Sequence, residues 1–283
     1  MERLEIFQQY RTLLFSLSYR MLGSVTEAED MMQEAWIRWQ ITSTIVESPK
    51  AFLCSLMTRL CIDRLRHLRR EREKYVGLWL PEPLINQQDS LETLESVSYA
   101  FLVLLECLSP TERAVFILRE VFDYEYIQIA SIVNKSISNC RQIFHRARKS
   151  ILVNQSKFNL SNRKQDLLLD QFIIAWNQGD LNRLLNLMTE NITFYADGGG
   201  KVTAAEKPLH GHNKIARFLI SIKRSKLIPN FSSEVILVNN QMGILNTINE
   251  QPQSIFCFHF IENKISTIFA LVNPDKLTSI LVK

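Results

Sequence analysis

The chain has 283 residues, of which 46% are hydrophobic and 22% are charged, and its formal net charge is +4. This composition is typical of a globular protein and leaves room for two or three small domains. No stretch reaches the roughly 18 to 20 apolar residues of a membrane helix, and the start MERLEIFQQYR lacks the order of a signal peptide, so we expect a cytoplasmic protein.

The cysteine and histidine content limits the redox and metal chemistry of the chain. Its five cysteines are never closer than seven positions, which excludes a CxxC pair and favours reduced thiols. His210 and His212 are too few to form a metal site by themselves. We therefore expect neither a metal nor a cofactor.

The first predicted elements are helices, which extend to about residue 74. In the segment TEAEDMMQEAWIRWQ, Thr26 and Glu29 match a capping box at a helix start. The inward apolar stripe of this helix is Ala28, Met32, Ala35 and Trp39. The outer stripe is Asp30, Gln33, Glu34 and Ile37. Acidic residues near a helix N-terminus also simply favour the helix dipole, so this stripe alone does not predict a partner.

The next helix contains the arginine-rich run RLCIDRLRHLRREREK. Its apolar residues predict a buried stripe of Leu53, Met57, Cys61, Leu65 and Leu68. The opposite face carries Arg59, Asp63, Arg66 and Arg70. Asp63 is spaced to hold both Arg59 and Arg66 in position, and the array suits a single-stranded, phosphate-rich track. A solvated helix face explains a single charged run equally well.

Pro81 and Pro83 then interrupt the helical pattern and predict an extended segment. Helical periodicity resumes from about Leu94 to Val153, and the polar stretch NQSKFNLSNRKQ that follows is typical of a linker.

The stretch LSPTERAVFILREVFDYEYIQIASIVNKSISNCRQIFHRARKSI has the pattern of a helix-turn-helix. Ser109 and Glu112 form a capping box, and a second helix ends at Asn134, which tolerates the left-handed conformation of a tight turn. The third helix has a predicted buried stripe of Ile137, Cys140, Phe144, Ala147 and Ile151. Its other face carries amide, guanidinium and ammonium groups that match base edges and phosphates, which predicts DNA binding.

After about Asp166 the pattern changes to α+β. Two amphipathic helices, DLLLDQFIIAWNQ and DLNRLLNLMTE, are hinged at Gly179. The short apolar runs ITFYA, EVILV, GILNTI, SIFCFHFI and KISTIFALV follow, several of them separated by turn formers. This succession predicts an antiparallel meander.

The segment DGGGK, residues 197 to 201, follows the first predicted strand. It does not fit a phosphate-binding loop, because Val202 stands where serine or threonine is needed, and Thr203 breaks a dinucleotide fingerprint. Three glycines instead permit a tight backbone shape and the close approach of another segment. Asp197 and Lys201 would then reach out from the two ends of the turn, although a simple loop tip fits the same sequence.

The helix-turn-helix resembles the promoter-reading fourth region of bacterial extracytoplasmic-function (ECF) sigma factors. LFSLSYRMLGSVTEAEDMMQEAWIRWQ is similar to their second region, which binds core RNA polymerase, and SPKAFLCSLMTRLCIDRLRHLRRERE to their promoter-melting segment. WLPEP, DGGGK and NPDKL are motifs of one subgroup, which carries a C-terminal SnoaL-like domain. The resemblance implies two all-α domains followed by an α+β cone with a curved antiparallel sheet. The expected bounds are 1–76 for region 2, 77–95 for the linker, 96–155 for region 4 and 166–283 for the SnoaL-like domain.

The resemblance also implies partners and site residues. Core polymerase would bind Asp30, Gln33, Glu34 and Ile37, and the minus-10 element Arg59, Asp63, Arg66 and Arg70. The minus-35 element would be read by Ser138, Asn139, Arg141, Gln142, His145, Arg146, Arg148 and Lys149. Many relatives outside the subgroup carry asparagine in place of Arg59. The regulatory set would be Trp79, Leu80, Pro81, Glu82, Pro83, Asp197, Gly198, Gly199, Gly200, Lys201, Asn273, Pro274 and Asp275.

Within this hypothesis DGGGK and NPDKL dock against the WLPEP linker, and the chain performs no covalent chemistry. An alternative is a SnoaL-type isomerase, cyclase or ligand sensor fused to a DNA-binding module. Its cavity would be lined by Trp176, Tyr195, Asp197, His212 and His259 and would accept an unidentified small ligand. A lone histidine among apolar residues such as His259 is more often a satisfied core residue. A third alternative is a repressor that uses the helix-turn-helix alone.

Overall fold

The computed structural model describes residues 3–85, 98–155, 164–225 and 230–277. The described residues form two compact units. Residues 3–73 and 101–155 make up a helical unit, which contains the predicted regions 2 and 4 together. Residues 74–85, 98–100, 164–225 and 230–277 make up a C-terminal unit. This unit contains residues 77–85 of the predicted linker, and residues 86–95 of that prediction lie outside the described residues. Within these ranges no helix is long and apolar enough to cross a membrane.

Among its described residues the helical unit contains seven helices, the fourth of which begins in the C-terminal unit. They are α1 (Arg3–Leu22), α2 (Val25–Ile41), α3 (Pro49–Arg72), α4 (Tyr99–Leu105), α5 (Pro110–Glu120), α6 (Tyr126–Val133) and α7 (Ile137–Gln155).

The helix starts follow from capping residues. Ser109 and Glu112 form the predicted capping box of α5, with both reciprocal hydrogen bonds present. The predicted cap of α2 was wrong, because Ser24 rather than Thr26 is the N-cap and accepts the Glu27 N–H. The helix begins at Val25, two residues earlier than a cap at Thr26 would require, so Ser24 occupies the N-cap position. Asn134 ends α6 in the predicted left-handed conformation, with φ 51°.

The predicted inward stripes of α2 and α3 are buried. The stripe of α7 differs in part: Cys140, Ala147 and Ile151 are buried, but Ile137 is 38% exposed and Ile143 is buried in addition. Ile137 is the first residue of α7 and directly follows the turn, so it lies at the edge of the buried stripe.

The C-terminal unit combines four helices and six strands among its described residues. The helices are α8 (Lys164–Gln178), α9 (Leu181–Leu187), α10 (His212–Ser225) and α11 (Pro274–Leu277). The strands are β1 (Met188–Asp197), β2 (Leu209–His210), β3 (Phe231–Val238), β4 (Gln241–Ile248), β5 (Gln251–Ile261) and β6 (Lys264–Leu271). They form one sheet of order β2-β1-β6-β5-β4-β3.

The sheet is mixed, so the prediction of a purely antiparallel sheet was wrong. Strands β3 to β6 form the predicted antiparallel meander, with left-handed residues such as Asn239 and Asn240 in the turns. Strand β1 pairs parallel to β6, because a long connection lets the last strand return beside the first in the same direction. The second predicted helix is also shorter, since Met188 already starts β1.

One side of the sheet carries the hydrophobic core of the C-terminal unit. Trp176 is buried there, stacks on Phe256 at 5.4 Å and donates its indole N–H to the Leu219 carbonyl at 2.8 Å. Phe194 and Ala196 of β1 belong to the same core, so alternation along the strand directs Tyr195 and Asp197 to the opposite side.

Candidate nucleic-acid interfaces and linker junction

The predicted DNA-reading face of α7 lies on the surface of the helical unit. Ser138, Arg141, Gln142, His145, Arg146, Arg148 and Lys149 are exposed, and Asn139 is half-buried. Arg141 lies over the Tyr126 ring at 5.6 Å, and Arg146 approaches Glu112 at 3.9 Å. Ser136, which the sequence analysis missed, accepts the Asn139 N–H at 3.2 Å and caps the helix start. Most of this face therefore presents its polar groups to solvent.

The predicted outer stripe of α2 is also accessible. Asp30, Gln33 and Ile37 are exposed, whereas Glu34 is half-buried and bonds to Arg38 at 2.7 Å. Ile41, one turn beyond Ile37, is exposed as well and extends the apolar part of the stripe. Acidic and apolar groups thus lie side by side on one helix surface.

The predicted face of α3 is divided between solvent and protein contacts. Asp63, Arg66 and Arg70 are exposed, and Asp63 bonds to Arg66 at 2.8 Å. Arg59 is exposed as well, but it also reaches α6, where its Nε and Nη2 donate to the carbonyls of Ile132 and Ser131, each at 3.0 Å. The predicted contact of Asp63 with both arginines is thus replaced by one ion pair and one contact with α6.

A second group of arginines lies inside the helical unit, and the sequence analysis did not find it. We call it the arginine cluster: Arg69, Arg72 and Arg113 around Glu106. Glu106 accepts from Arg72 at 2.6 Å and from Arg113 at 2.5 Å. Arg69 donates to the Leu108 carbonyl. Burial lowers the pKa of Arg72, and the Glu106 carboxylate opposes that effect.

The C-terminal unit contains a junction centred on Asp197, the last residue of β1, whose side chain is fully buried. One carboxylate oxygen accepts from the Tyr75 hydroxyl at 2.5 Å and the Gly199 N–H at 3.1 Å. The other accepts from the Leu80 N–H at 2.8 Å and Lys276 Nζ at 2.6 Å. Leu80 belongs to the linker, Gly199 to DGGGK and Lys276 to NPDKL, and Tyr75 directly precedes the linker, so this Asp197 junction brings the three motif segments together.

Lys276 and Tyr75 are junction residues that the sequence analysis missed. The Lys276 ammonium also donates to the Leu80 carbonyl and lies 4.2 Å from the centroid of the Trp79 ring. Asn273 donates to the Tyr75 hydroxyl at 2.9 Å. Burial, followed by the hydrogen bond to Asp197, raises the pKa of Tyr75. Lys276 lies within the quoted motif NPDKL. Its presence there is the signal by which the sequence analysis could have found it, because a charged aspartate is stable in a protein interior when a cation pairs with it.

The three glycines of DGGGK are required by close contacts. Gly199 has φ +61°, and a β-carbon there would lie 2.4 Å from the Asn273 side chain. A β-carbon on Gly200, at φ +70°, would lie 2.9 Å from Val76, which directly precedes the predicted linker. The predicted close approach of another segment is therefore present. Lys201, by contrast, is exposed and pairs with Asp275 at 2.6 Å.

The rest of the linker is fixed within the same unit. Pro81, Glu82 and Pro83 are buried, and Tyr99 donates its hydroxyl to the Pro81 carbonyl at 2.7 Å. Asn239 exchanges two hydrogen bonds with the Leu84 backbone, at 2.8 and 3.0 Å. The segment from Tyr75 to Leu84 is thus held at both of its ends.

Comparison with known proteins identifies the two halves of the helical unit. Residues 6–71 match the family model of sigma-70 region 2, and residues 98–151 match that of sigma-70 region 4. The ECF RNA polymerase sigma factor SigJ of Mycobacterium tuberculosis is 29% identical over 287 residues, which cover 96% of this chain and 92% of SigJ. The chain belongs to the ECF RNA polymerase sigma factors.

The similarity to SigJ includes the C-terminal unit. The crystal structure of SigJ matches this sigma factor with a TM-score of 0.79 at 28% identity, covering 97% of this chain and 98% of SigJ. The ECF sigma factor SigW of Bacillus subtilis is 28% identical over 160 residues, which are 85% of SigW but 52% of this chain. The helices and the six-stranded sheet of the C-terminal unit confirm the α+β character predicted for this part of the chain.

The five candidate cavity residues do not form one site in this sigma factor. Trp176 belongs to the core on one side of the sheet, whereas Tyr195 and Asp197 point to the other side. His259 is buried and contacts Ser266 Oγ at 2.7 Å, as expected for a satisfied core histidine. None of the five lines the cavity of about 320 Å³ beside DGGGK, which is bounded by Val76, Gly77, Gly198, Gly200, Val202 and Glu206 among others.

Proposed function

We propose that this sigma factor binds core RNA polymerase, reads a promoter with α7 and α3, and is regulated by its C-terminal unit through the Asp197 junction. The observation that carries the regulatory part is the burial of Asp197 under donors from the linker and from both C-terminal motifs. The promoter-reading part is supported by the exposed polar face of α7 and by the match to region 4.

The face of α7 has the chemistry of a major-groove reader. Asn139, Arg141 and Gln142 lie near its start, where amide and guanidinium groups pair with base edges at about 1–3 kcal/mol of discrimination each. Arg148 and Lys149 lie two turns further along, where they can neutralise phosphates. The order from base-reading groups to cations therefore fits the minus-35 contact.

The other two faces suit the remaining partners. Asp30, Gln33, Glu34 and Ile37 on α2 present acid and apolar groups together, which favours a protein surface such as that of core polymerase rather than DNA. Arg66 and Arg70 on α3 remain accessible to a phosphate backbone at the minus-10 element.

The sigma activity is tested by mixing the purified full chain with core polymerase and a DNA library. We expect a stable complex that initiates at a defined promoter, and Arg141→Ala should abolish promoter preference while Lys264→Ala, at an exposed position of β6, should not. Turnover of a small molecule without polymerase, and no complex, would instead support the fused isomerase.

The Asp197 junction is suited to regulation because it fixes the linker rather than a substrate. Both the N–H and the carbonyl of Leu80 are bound, and the Asp197 and Lys276 charges neutralise each other. Residues 75 to 84 belong to the segment that connects region 2 to region 4 along the chain. Because the junction anchors this segment, it restricts the positions that the two regions can take relative to each other. With all four donors directed at it, Asp197 is a structural anchor and not an acid or base for catalysis.

Regulation through the junction is tested with Lys276→Met, with Lys264→Met as the exposed control. We expect Lys276→Met to change promoter-dependent transcription at least severalfold while DNA binding by the helix-turn-helix persists. Replacing Gly198, Gly199 and Gly200 with alanine should have the same effect. Circular dichroism confirms folding of each variant, and unchanged transcription in a folded Lys276→Met protein would refute the regulatory role.

A further inference from the structure

Arg59 occupies an unusual position for a residue on a predicted DNA face. Its guanidinium donates to the carbonyls of Ser131 and Ile132, which lie in the last turn of α6. Carbonyls in that turn have no partner within their own helix, and a cation at a helix C-terminus is favoured by the helix dipole. Arg59 therefore caps the C-terminal end of α6, the helix directly before the turn that leads into α7, and we call this contact the arginine latch.

The latch is one of several polar contacts that join region 2 to region 4 within the helical unit. Arg113 of α5 donates to the Arg20 carbonyl of α1 at 2.9 Å, and Arg72 of α3 bonds to Glu106 at 2.6 Å. Arg20 in turn lies over the Phe122 ring at 5.5 Å. Polar contacts of this kind can be exchanged for water at a small net cost when two surfaces separate.

The arginine cluster also contains a feature that opposes the packing of region 4 against region 2, which we call the closed arrangement of the helical unit. Arg113 is fully buried, and among the described residues its Nη2 has no hydrogen-bond acceptor. A buried donor without an acceptor destabilises the arrangement that buries it. The polar contacts between region 2 and region 4 are therefore replaceable, and the packed arrangement carries a penalty at Arg113 that separation of the two regions would relieve.

The closed unit is too small to read both promoter elements at once. Elements centred about 25 base pairs apart lie roughly 85 Å apart on straight B-DNA. Arg59 touches α6, which packs against α7, and α7, with 19 residues, is only about 28 Å long. The α3 and α7 faces are consequently much closer together than their two targets.

We propose that Arg59 makes two mutually exclusive contacts in this sigma factor, one with region 4 and one with promoter DNA. In the free protein its Nε and Nη2 groups hold region 4 against region 2, and these two donors are not available to DNA. When the regions separate on polymerase, the same guanidinium is released to join Arg66 and Arg70 on the minus-10 face. The second use rests on the proposed function of that face, whereas the latch itself is a property of the free chain.

The latch is tested by measuring the distance between spectroscopic labels on the full chain. Gln9 of α1 and Glu120 of α5, which are both exposed, are each replaced by an amino acid that carries a ketone. The labels are attached to these ketones, so the native cysteines are not modified. The distance distribution is recorded for the free wild type, Arg59→Ala, Arg59→Lys and Arg66→Ala. Arg66→Ala is the matched control, since it removes an exposed arginine of the same face that contacts Asp63 and not α6.

We expect the free wild type to populate mainly the short distance. Arg59→Ala should raise the long-distance population about tenfold, because two charge-assisted hydrogen bonds are lost. Arg59→Lys should give an intermediate increase, since one ammonium cannot match the geometry of a guanidinium across two carbonyls. Arg66→Ala should match the wild type.

An unchanged distribution in folded Arg59→Ala, or an equal increase in Arg66→Ala, would overturn the latch. A second distance measurement, on the labelled wild type mixed with core polymerase, tests the proposed function separately from the latch. If polymerase does not bind, the sigma activity fails while the latch in the free chain is still decided by the Arg59 variants. If polymerase binds and the short distance persists, release of Arg59 on polymerase is refuted.

Discussion

The Asp197 junction of the C-terminal unit and the arginine contacts of the helical unit both hold segments together with charged side chains. In the junction, one buried carboxylate receives four donors, including a partnered lysine. In the helical unit, arginines donate mainly to backbone carbonyls, and Arg113 retains a donor without an acceptor among the described residues. The comparison indicates a fixed anchor in one unit and a releasable contact in the other.

The largest expected effect is at Asp197. Asp197→Ala should lower the free energy of unfolding of the C-terminal unit by about 3–5 kcal/mol, because it leaves Lys276 mostly buried without its partner. Urea unfolding of the full chain measures this change. Asp275→Ala, which removes an exposed ion pair with Lys201, should cost less than about 1 kcal/mol. Equal costs for the two variants would remove the distinction between anchor and surface pair.

Gly199→Ala should cost about 2–4 kcal/mol in the same measurement, from its positive φ and from the clash with Asn273. Gly211→Ala is the control, since its φ is +90° but no atom lies within 4 Å of the added carbon. It should show the conformational cost alone, about 1–2 kcal/mol. A smaller loss for Gly199→Ala than for Gly211→Ala would argue against close packing at the junction.

Glu106→Gln tests how much the arginine cluster contributes to the free energy of unfolding of the helical unit. It removes the charge that faces Arg72 and Arg113 and should cost about 1–3 kcal/mol, less than Asp197→Ala because Glu106 remains partly exposed. Glu34→Gln, in an exposed pair with Arg38, should be nearly neutral. A loss at Glu106 as large as that at Asp197 would contradict the view of the helical contacts as releasable.

Trp79→Phe should lower the free energy of unfolding by a smaller amount, about 1 kcal/mol. The reason is that phenylalanine is a weaker cation–π partner for Lys276 than tryptophan is. Trp79→Leu should cost more than Trp79→Phe, as it removes the ring altogether. The difference between the two unfolding free energies isolates the aromatic contribution, and a difference of zero would exclude it.

The smallest effect on stability is expected at Arg148, which is exposed on α7. Arg148→Ala should change the free energy of unfolding by less than about 0.5 kcal/mol. It should nevertheless weaken DNA binding similarly across sequences and reduce the salt dependence of binding. A titration at several salt concentrations checks this expectation, and loss of sequence preference alone would contradict a phosphate contact.

Local patterns in the sequence predicted most of the elements in which these residues lie. Apolar spacing identified the buried stripes of α2 and α3, and Ser109, Asn134 and Gly179 marked helix ends that the structure contains. These features depend on neighbours three or four positions apart, so they can be inferred without a tertiary structure. The parallel pairing of β1 with β6 joins residues about 75 positions apart, and no local pattern encodes it.

The sequence by itself determined the helix-turn-helix and the α+β character of the C-terminal unit, and it permitted a close approach at DGGGK without requiring one. Tertiary structure decided which charged groups are used internally: Arg59 bonds to α6, Asp197 is buried, and Lys276 and Tyr75 complete its junction. The physical reason is that a charged side chain looks the same in the sequence whether it meets water or a buried partner. Its desolvation and its pairing depend on segments that only the fold brings into contact.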